Sequence, residues 1–187
     1  MDDGTCNYLE VVPVNNTCGT ATEIECGVPV AGSTGGATNL GAPNLINGCD
    51  PVPGPGVWFT FEGTGDLHTL SLCGSNIDSK VNVYVSDAVC AGGIPALFEC
   101  VLTVEDGVYA SEESDFINCG FFDQDDAWVQ FISEPGRHYY AYVSAEDADG
   151  DPVTDDNGTI ELLLDCAPAV EGCTNSVACN FDPAANI

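Results

Sequence analysis

Two basic side chains, Lys80 and Arg137, stand against thirty Asp and Glu, a formal charge of −28 over 187 residues. No fold can neutralise that excess with internal ion pairs. The chain must be held compact by disulfides, by ambient salt or by bound divalent cations. Salt at ~0.5–1 M shortens the Debye length to roughly 3–4 Å and largely silences surface repulsion. Calcium acts locally, through six to eight oxygen ligands. An acidic surface in a saline habitat, with one or two specific calcium sites, fits this composition. The same charge excludes nucleic acid, whose phosphates need Lys and Arg to displace counterions, and argues against anionic membranes. No apolar run reaches transmembrane length. The first ten residues, MDDGTCNYLE, have neither the basic nor the apolar region of a signal peptide.

Eleven cysteines are scattered along the chain with no CxxC pair. Metal-binding cysteines come in close pairs, so this distribution predicts a disulfide framework in an oxidising, extracellular setting. The odd count leaves one thiol free or paired outside the chain. Cys18–Cys26 and Cys90–Cys100 flank short loops and are expected as local bridges, each stabilising by about 2.5–3 kcal/mol on the chain-entropy estimate. Cys49, Cys73, Cys119 and Cys166 remain for longer-range pairs. Cys6, Cys173 and Cys179 form a third group.

After an acidic start and a turn-rich stretch from Pro13 to Pro55, strand signals are clear. They fall on residues 57–61, 67–73, 80–86, 127–133, 138–144 and 159–165, with a weaker one over 97–104. In the third of these Val81, Val83 and Val85 share one face. Turn signals separate them at 62–66, 134–136 and 156–158, and no helical period is sustained. The pattern predicts an all-β fold, an antiparallel sandwich. Residues 167–187 change character and are too few for a core of their own.

Two motif sets carry resemblances. Residues 16–18, 21–24, 32–38, 56–65, 71–75, 81–84 and the run from Gly136 to Ser144 together resemble the bacterial pre-peptidase C-terminal (PPC-like) module of secreted Bacteroidota proteins. That resemblance covers residues 13–166. It implies a jelly-roll-like sandwich, a non-catalytic role beside other domains and export by a type IX system. Residues 172–187, with Cys173 and Cys179, resemble the first part of a three-Cys connector repeat of giant bacterial surface proteins. The missing end of that repeat, Asp2-Asp3-Gly4-Thr5-Cys6, stands within residues 1–12. The domains expected are therefore a half connector over 1–12, the sandwich over 13–166, and a linker with the other half connector over 167–187. One period of a head-to-tail array would read this way, and such arrays work through reach and multivalent display.

Candidate calcium ligands are Asn180, Asp182, Asn186, Asp2 and Asp3 in the joined connector, and Asp147, Asp149 and Asp151 between two predicted strands. The connector group lacks the spacing of an EF-hand and no Glu closes it, whereas Asp147-Ala148-Asp149-Gly150-Asp151 resembles half a calcium loop; solvated acidic turns would look the same. No Gly-x-Ser-x-Gly elbow, His-Glu-x-x-His or phosphate loop occurs. His68 and His138 lie within predicted strands beside no nucleophile, and acidic pairs arise by chance among thirty carboxylates, so no enzyme is expected. Trp58, Phe59, Phe61, Trp128, Tyr139, Tyr140 and Tyr142 could form a sugar-stacking platform, but strand alternation assigns about half of them to the core. The expectation is a structural repeat of an extracellular filament or giant adhesin, with copies of itself as partners. The alternative is a module binding cell-surface glycans or proteins beside a secreted hydrolase.

Overall fold

The computed structural model describes residues 11–38, 49, 55–91, 98–105, 126–145, 157–172, 180, 182, 184 and 185. These residues form an all-β, disulfide-stapled sandwich. The strands are β1 (Thr22–Glu23), β2 (Val30–Ser33), β3 (Gly56–Glu62), β4 (Leu67–Ser71), β5 (Ser79–Ser86), β6 (Glu99–Glu105), β7 (Trp128–Ile132), β8 (His138–Ala145) and β9 (Thr159–Ala167). One sheet has the order β1-β3-β8-β5-β6 and the other β2-β9-β4-β7. From β2 onward the chain crosses between the sheets at every step except β5 to β6, which is jelly-roll connectivity. All pairings are antiparallel except β1, which lies parallel to β3.

Every strand read from alternation is present, with bounds shifted by one or two residues. β1 and β2 are additions. Residues 30–33 read Val-Ala-Gly-Ser, with little strand propensity, and become a strand because Thr159–Leu162 of β9 pair with them. Between β7 and β8, Pro135 and Gly136 occupy the centre of a tight turn closed by Arg137 N–H donating to Glu134 O (3.3 Å). Gly136 has φ +76°, the left-handed position that a type II turn requires after proline.

Between the sheets lies the main core: Val57, Phe59, Phe61, Leu70, Val81, Val83, Val85, Val129, Ala141, Val143, Ile160, Leu162 and Leu164 are all buried there. The register sets the phases. Val57, Phe59 and Phe61 face inward opposite Val143, Ala141 and Tyr139, while Trp58, Thr60 and Glu62 face outward opposite Tyr142, Tyr140 and His138.

That outward face carries a second core. Trp58, Tyr84, Tyr140 and Tyr142 are buried with Phe98, Cys18 and Cys90. The Trp58 and Tyr142 rings lie 4.9 Å apart, Tyr84 and Phe98 stack at 5.5 Å, and Cys90 N–H donates to the Tyr140 hydroxyl at 2.8 Å. The expected half burial of the aromatic set is therefore corrected. Six of its seven members are buried and only Trp128 is partly exposed, because Cys18 of the 3₁₀ turn, Cys90 and Phe98 pack onto the outer face.

The disulfides also differ from expectation. The local bridges Cys18–Cys26 and Cys90–Cys100 are not formed. Instead Cys18 pairs with Cys90, Cys26 with Cys166 and Cys49 with Cys100. Each joins distant segments that the sheets bring together. At sequence separations of 72, 140 and 51, each closes a loop worth about 4–5 kcal/mol on the chain-entropy estimate. Cys73 is disulfide-bonded as well. Cys6, Cys119, Cys173 and Cys179 lie outside the described residues.

The chain enters and leaves the sandwich at opposite ends. Asn16 is held by a reciprocal pair with Thr38, donating from Nδ2 to Oγ1 (2.8 Å) and accepting from the backbone N–H (2.7 Å). Thr34, four residues before Thr38, pairs with Gly158 through its N–H (3.1 Å to the Gly158 carbonyl) and hydroxyl (3.0 Å from the Gly158 N–H). This is where β9 begins. β9 ends at Ala167, opposite Leu67, about 27 Å away at the usual rise per residue.

Candidate functional site

The outer face ends in a cleft. Parallel pairing puts Glu23 opposite Thr60 and antiparallel pairing puts Glu62 opposite His138, so both carboxylates and the imidazole reach one edge of the aromatic layer. With Tyr140, Val89 and the Cys18–Cys90 bridge they line a cleft of about 320 Å³. Its walls combine acidic groups, one imidazole and apolar surface, a chemistry suited to a polyhydroxyl or cationic ligand.

Arg137 stands beside His138 but is already occupied. Its Nε lies 2.8 Å from Asp87, and its Nη1 lies 3.7 Å from Glu99 and 3.5 Å from Glu134. Burial works to lower its pKa; Asp87, Glu134 and Glu99 outweigh that and raise it. The arginine thus ties together the ends of β5 and β7 and the starts of β6 and β8.

A second cluster sits where β9 leaves the sandwich. His68 and Cys166 are cross-strand partners, and Cys166 is bonded to Cys26. A ring nitrogen of His68 and the two sulfurs all lie within 4.8 Å of one another. His68 is 0% exposed and packs against Phe61 (5.3 Å) and Phe131 (6.0 Å), which lie 6.2 Å from each other. Its Nδ1 lies 3.1 Å from the Asp66 carbonyl. That oxygen can only accept, so Nδ1 carries a proton, and in the neutral ring Nε2 presents a lone pair. Nε2 is buried and has no hydrogen-bond partner among the described residues.

Of the residues expected to hold calcium, Asn180 and Asp182 are described. Asp182 accepts from the Ala184 N–H at 2.9 Å and packs against Gly172, where an added Cβ would come within 2.9 Å of the Asp182 Cβ. Asp2, Asp3, Asn186, Asp147, Asp149 and Asp151 lie outside the described residues. The sequence holds two Asn-x-Thr glycosylation sequons, at Asn15 and Asn157; Asn15 is buried, its Nδ2 donating to Trp58 O at 3.1 Å.

Sequence reasoning missed Glu23 and Glu62, which carry no signal because only the parallel β1–β3 pairing and the β3–β8 register unite them with His138. His68 did carry a signal: it shares the inward phase of Leu70 and Leu72 on an alternating strand.

No family model matches the chain, and neither a curated protein nor a solved structure matches it. Among the described residues no helix is long and apolar enough to cross a membrane.

Proposed function

We propose that this sandwich is a non-enzymatic structural module of an extracellular bacterial filament or giant cell-surface adhesin, arranged head to tail with further copies. The observation that carries this reading is axial. Asn16 is fastened at the end where β9 starts, and the chain departs at the end where β9 stops. A module with its two connections at opposite ends extends an array by its own length, whereas adjacent connections would fold the array back. The flanking segments that resemble halves of one connector suit the same arrangement. Three long-range disulfides suit a protein exposed to an oxidising exterior. The buried aromatic set leaves little flat platform for sugar stacking, which favours a load-bearing role.

The test is the mass of the native polypeptide after full reduction and denaturation. A mass many times 19.4 kDa means a covalent array, and a single-module mass with fibres under native conditions means subunits that polymerise. A single-module mass with a strictly monomeric native protein overturns the proposal.

The cleft bearing Glu23, Glu62, His138 and Tyr140 favours a second reading, a module that binds glycans or proteins beside a secreted hydrolase. Glycan-array binding abolished by Glu62→Ala and His138→Ala, with an unchanged melting temperature, would support it over the first.

A further inference from the structure

The cluster at the end of β9 joins three soft donors that only one covalent bond keeps apart from a metal. We propose that Cys26, Cys166 and His68 form a redox-gated metal site. It is closed while Cys26–Cys166 is oxidised and binds Zn²⁺ or a similar thiophilic cation once that bridge is reduced.

Three observations converge. The two sulfurs and a His68 ring nitrogen already lie within 4.8 Å of one another, so a tetrahedral ion needs only small side-chain movements. The imidazole is oriented as a ligand. Nδ1–H donates to the Asp66 carbonyl, the outer contact that metal-bound histidines typically make, and the remaining Nε2 is buried with no partner among the described residues. A buried imidazole nitrogen left unsatisfied costs stability in a finished core; with Nδ1 taken by Asp66, Nε2 is the ring nitrogen left for an ion held by the two sulfurs, and such an ion would satisfy it. Access is also graded. Cys26 is exposed, whereas Cys18 and Cys90 are buried and Cys49 and Cys100 half-buried. Among these three bridges, a reductant therefore meets Cys26–Cys166 first.

The chemistry balances with a dithiol reductant. Its two thiols become its own disulfide, and the Cys26–Cys166 S–S bond becomes two thiols. Zn²⁺ then displaces both thiol protons to solvent and takes two thiolates and the Nε2 lone pair. The fourth position opens toward solvent on the side of exposed Cys26. A Cys₂His donor set selects Zn²⁺ or Cu(I) over Ca²⁺ and Mg²⁺, so this site is distinct from any oxygen-ligand calcium site in the acidic loops.

The experiment uses the full chain, limiting phosphine reductant, thiol mapping by alkylation and mass spectrometry, and Co²⁺ as the probe. Of the bridges Cys18–Cys90, Cys26–Cys166 and Cys49–Cys100, Cys26–Cys166 should release its thiols first. Co²⁺ should then bind one per chain, with the visible bands of a tetrahedral thiolate complex, and be displaced by Zn²⁺. The oxidised protein should show no such bands. His68→Gln should weaken Co²⁺ binding by at least about 100-fold, beyond what loss of an outer contact costs. Should that variant fail to fold, X-ray absorption on the reduced wild type with Zn²⁺ provides the reading, with one nitrogen and two sulfurs expected. Release of Cys18–Cys90 or Cys49–Cys100 before Cys26–Cys166, absence of the bands, equal affinity in folded His68→Gln, or a shell with no nitrogen would each overturn the proposal.

Discussion

Tyr84 sits in the middle of β5, a strand buried on both faces, and its hydroxyl accepts from Asn82 Nδ2 at 2.9 Å. Burial raises its pKa from 10.0 to about 12, against the opposing pull of the Asn82 hydrogen bond. Burial likewise raises Tyr142 and Tyr139. A phenol whose folded-state value exceeds its unfolded value stabilises the fold fully below the unfolded value of 10.0. That contribution is lost as the pH climbs toward 12. Tyrosinate absorbance should therefore rise in step with alkaline unfolding, and Tyr84→Phe should move the unfolding midpoint to higher pH. An early, fully reversible tyrosinate signal exceeding the two tyrosines outside the described residues, Tyr8 and Tyr109, would contradict the burial of the outer aromatic layer. At Gly136 the constraint is backbone alone. Its φ is +76° and nothing lies within 4 Å of an added Cβ. Gly136→Ala should fold normally and lose about 1–2 kcal/mol in denaturant melts, the cost of a left-handed conformation for an L-residue. Pro135 and Gly136 were legible as a turn from sequence because turn chemistry is local.

The strands were legible for a related reason. Period-2 alternation in residues 80–86 sorts Val81, Val83 and Val85 from Asn82 and Tyr84 before any partner is known. What alternation could not say is that both phases of β3, β5 and β8 are buried, since that depends on distant chain covering the outer face. The disulfides show the same limit. Proximity in sequence favoured Cys18–Cys26, while the sheets place Cys18 against Cys90 and Cys26 against Cys166. The Cys26–Cys166 bridge ties the segment between β1 and β2 to the end of β9. Replacing both cysteines with alanine should cost about 2–5 kcal/mol, read as a lower urea midpoint with an intact far-UV spectrum. A change below a few tenths of a kcal/mol would mean that the β2–β9 pairing alone holds that edge. Arg137 performs a similar joining task electrostatically. Its partners Asp87, Glu99 and Glu134 have side chains 82%, 69% and 69% exposed, so water screens each pair. Arg137→Gln should cost only some tenths to about 1 kcal/mol, and less at high salt.

Over the whole molecule the charge of −28 opposes compaction, and the sandwich withstands it through two apolar layers and covalent staples. Raising salt from about 0.01 M to about 1 M shortens the Debye length from roughly 30 Å to 3 Å. The melting temperature should rise markedly over that range. A flat response would assign the neutralisation to tightly bound cations instead. Chelation at constant ionic strength separates the two. If calcium holds Asn180, Asp182 and their neighbours in the connector, a chelator should lower the melting temperature or loosen the assembly, and calcium should restore it. An unchanged melt would remove specific calcium from the account.

The sequence by itself determined the all-β class, the positions of seven strands, the inward phase of the Val81-Val83-Val85 row and the use of cysteine for disulfides, as seen in the seven described cysteines. Each of these follows from local chemistry: side-chain alternation, turn residues, composition. Only the tertiary structure decided which cysteines pair, that Trp58 and Tyr142 lie in a second buried layer, and that Glu23 and Glu62 share a cleft with His138. It alone set an unsatisfied imidazole against the Cys26–Cys166 bridge. Jelly-roll crossovers make neighbours of residues up to 140 positions apart, and a pattern with a period of two residues has no memory of that distance.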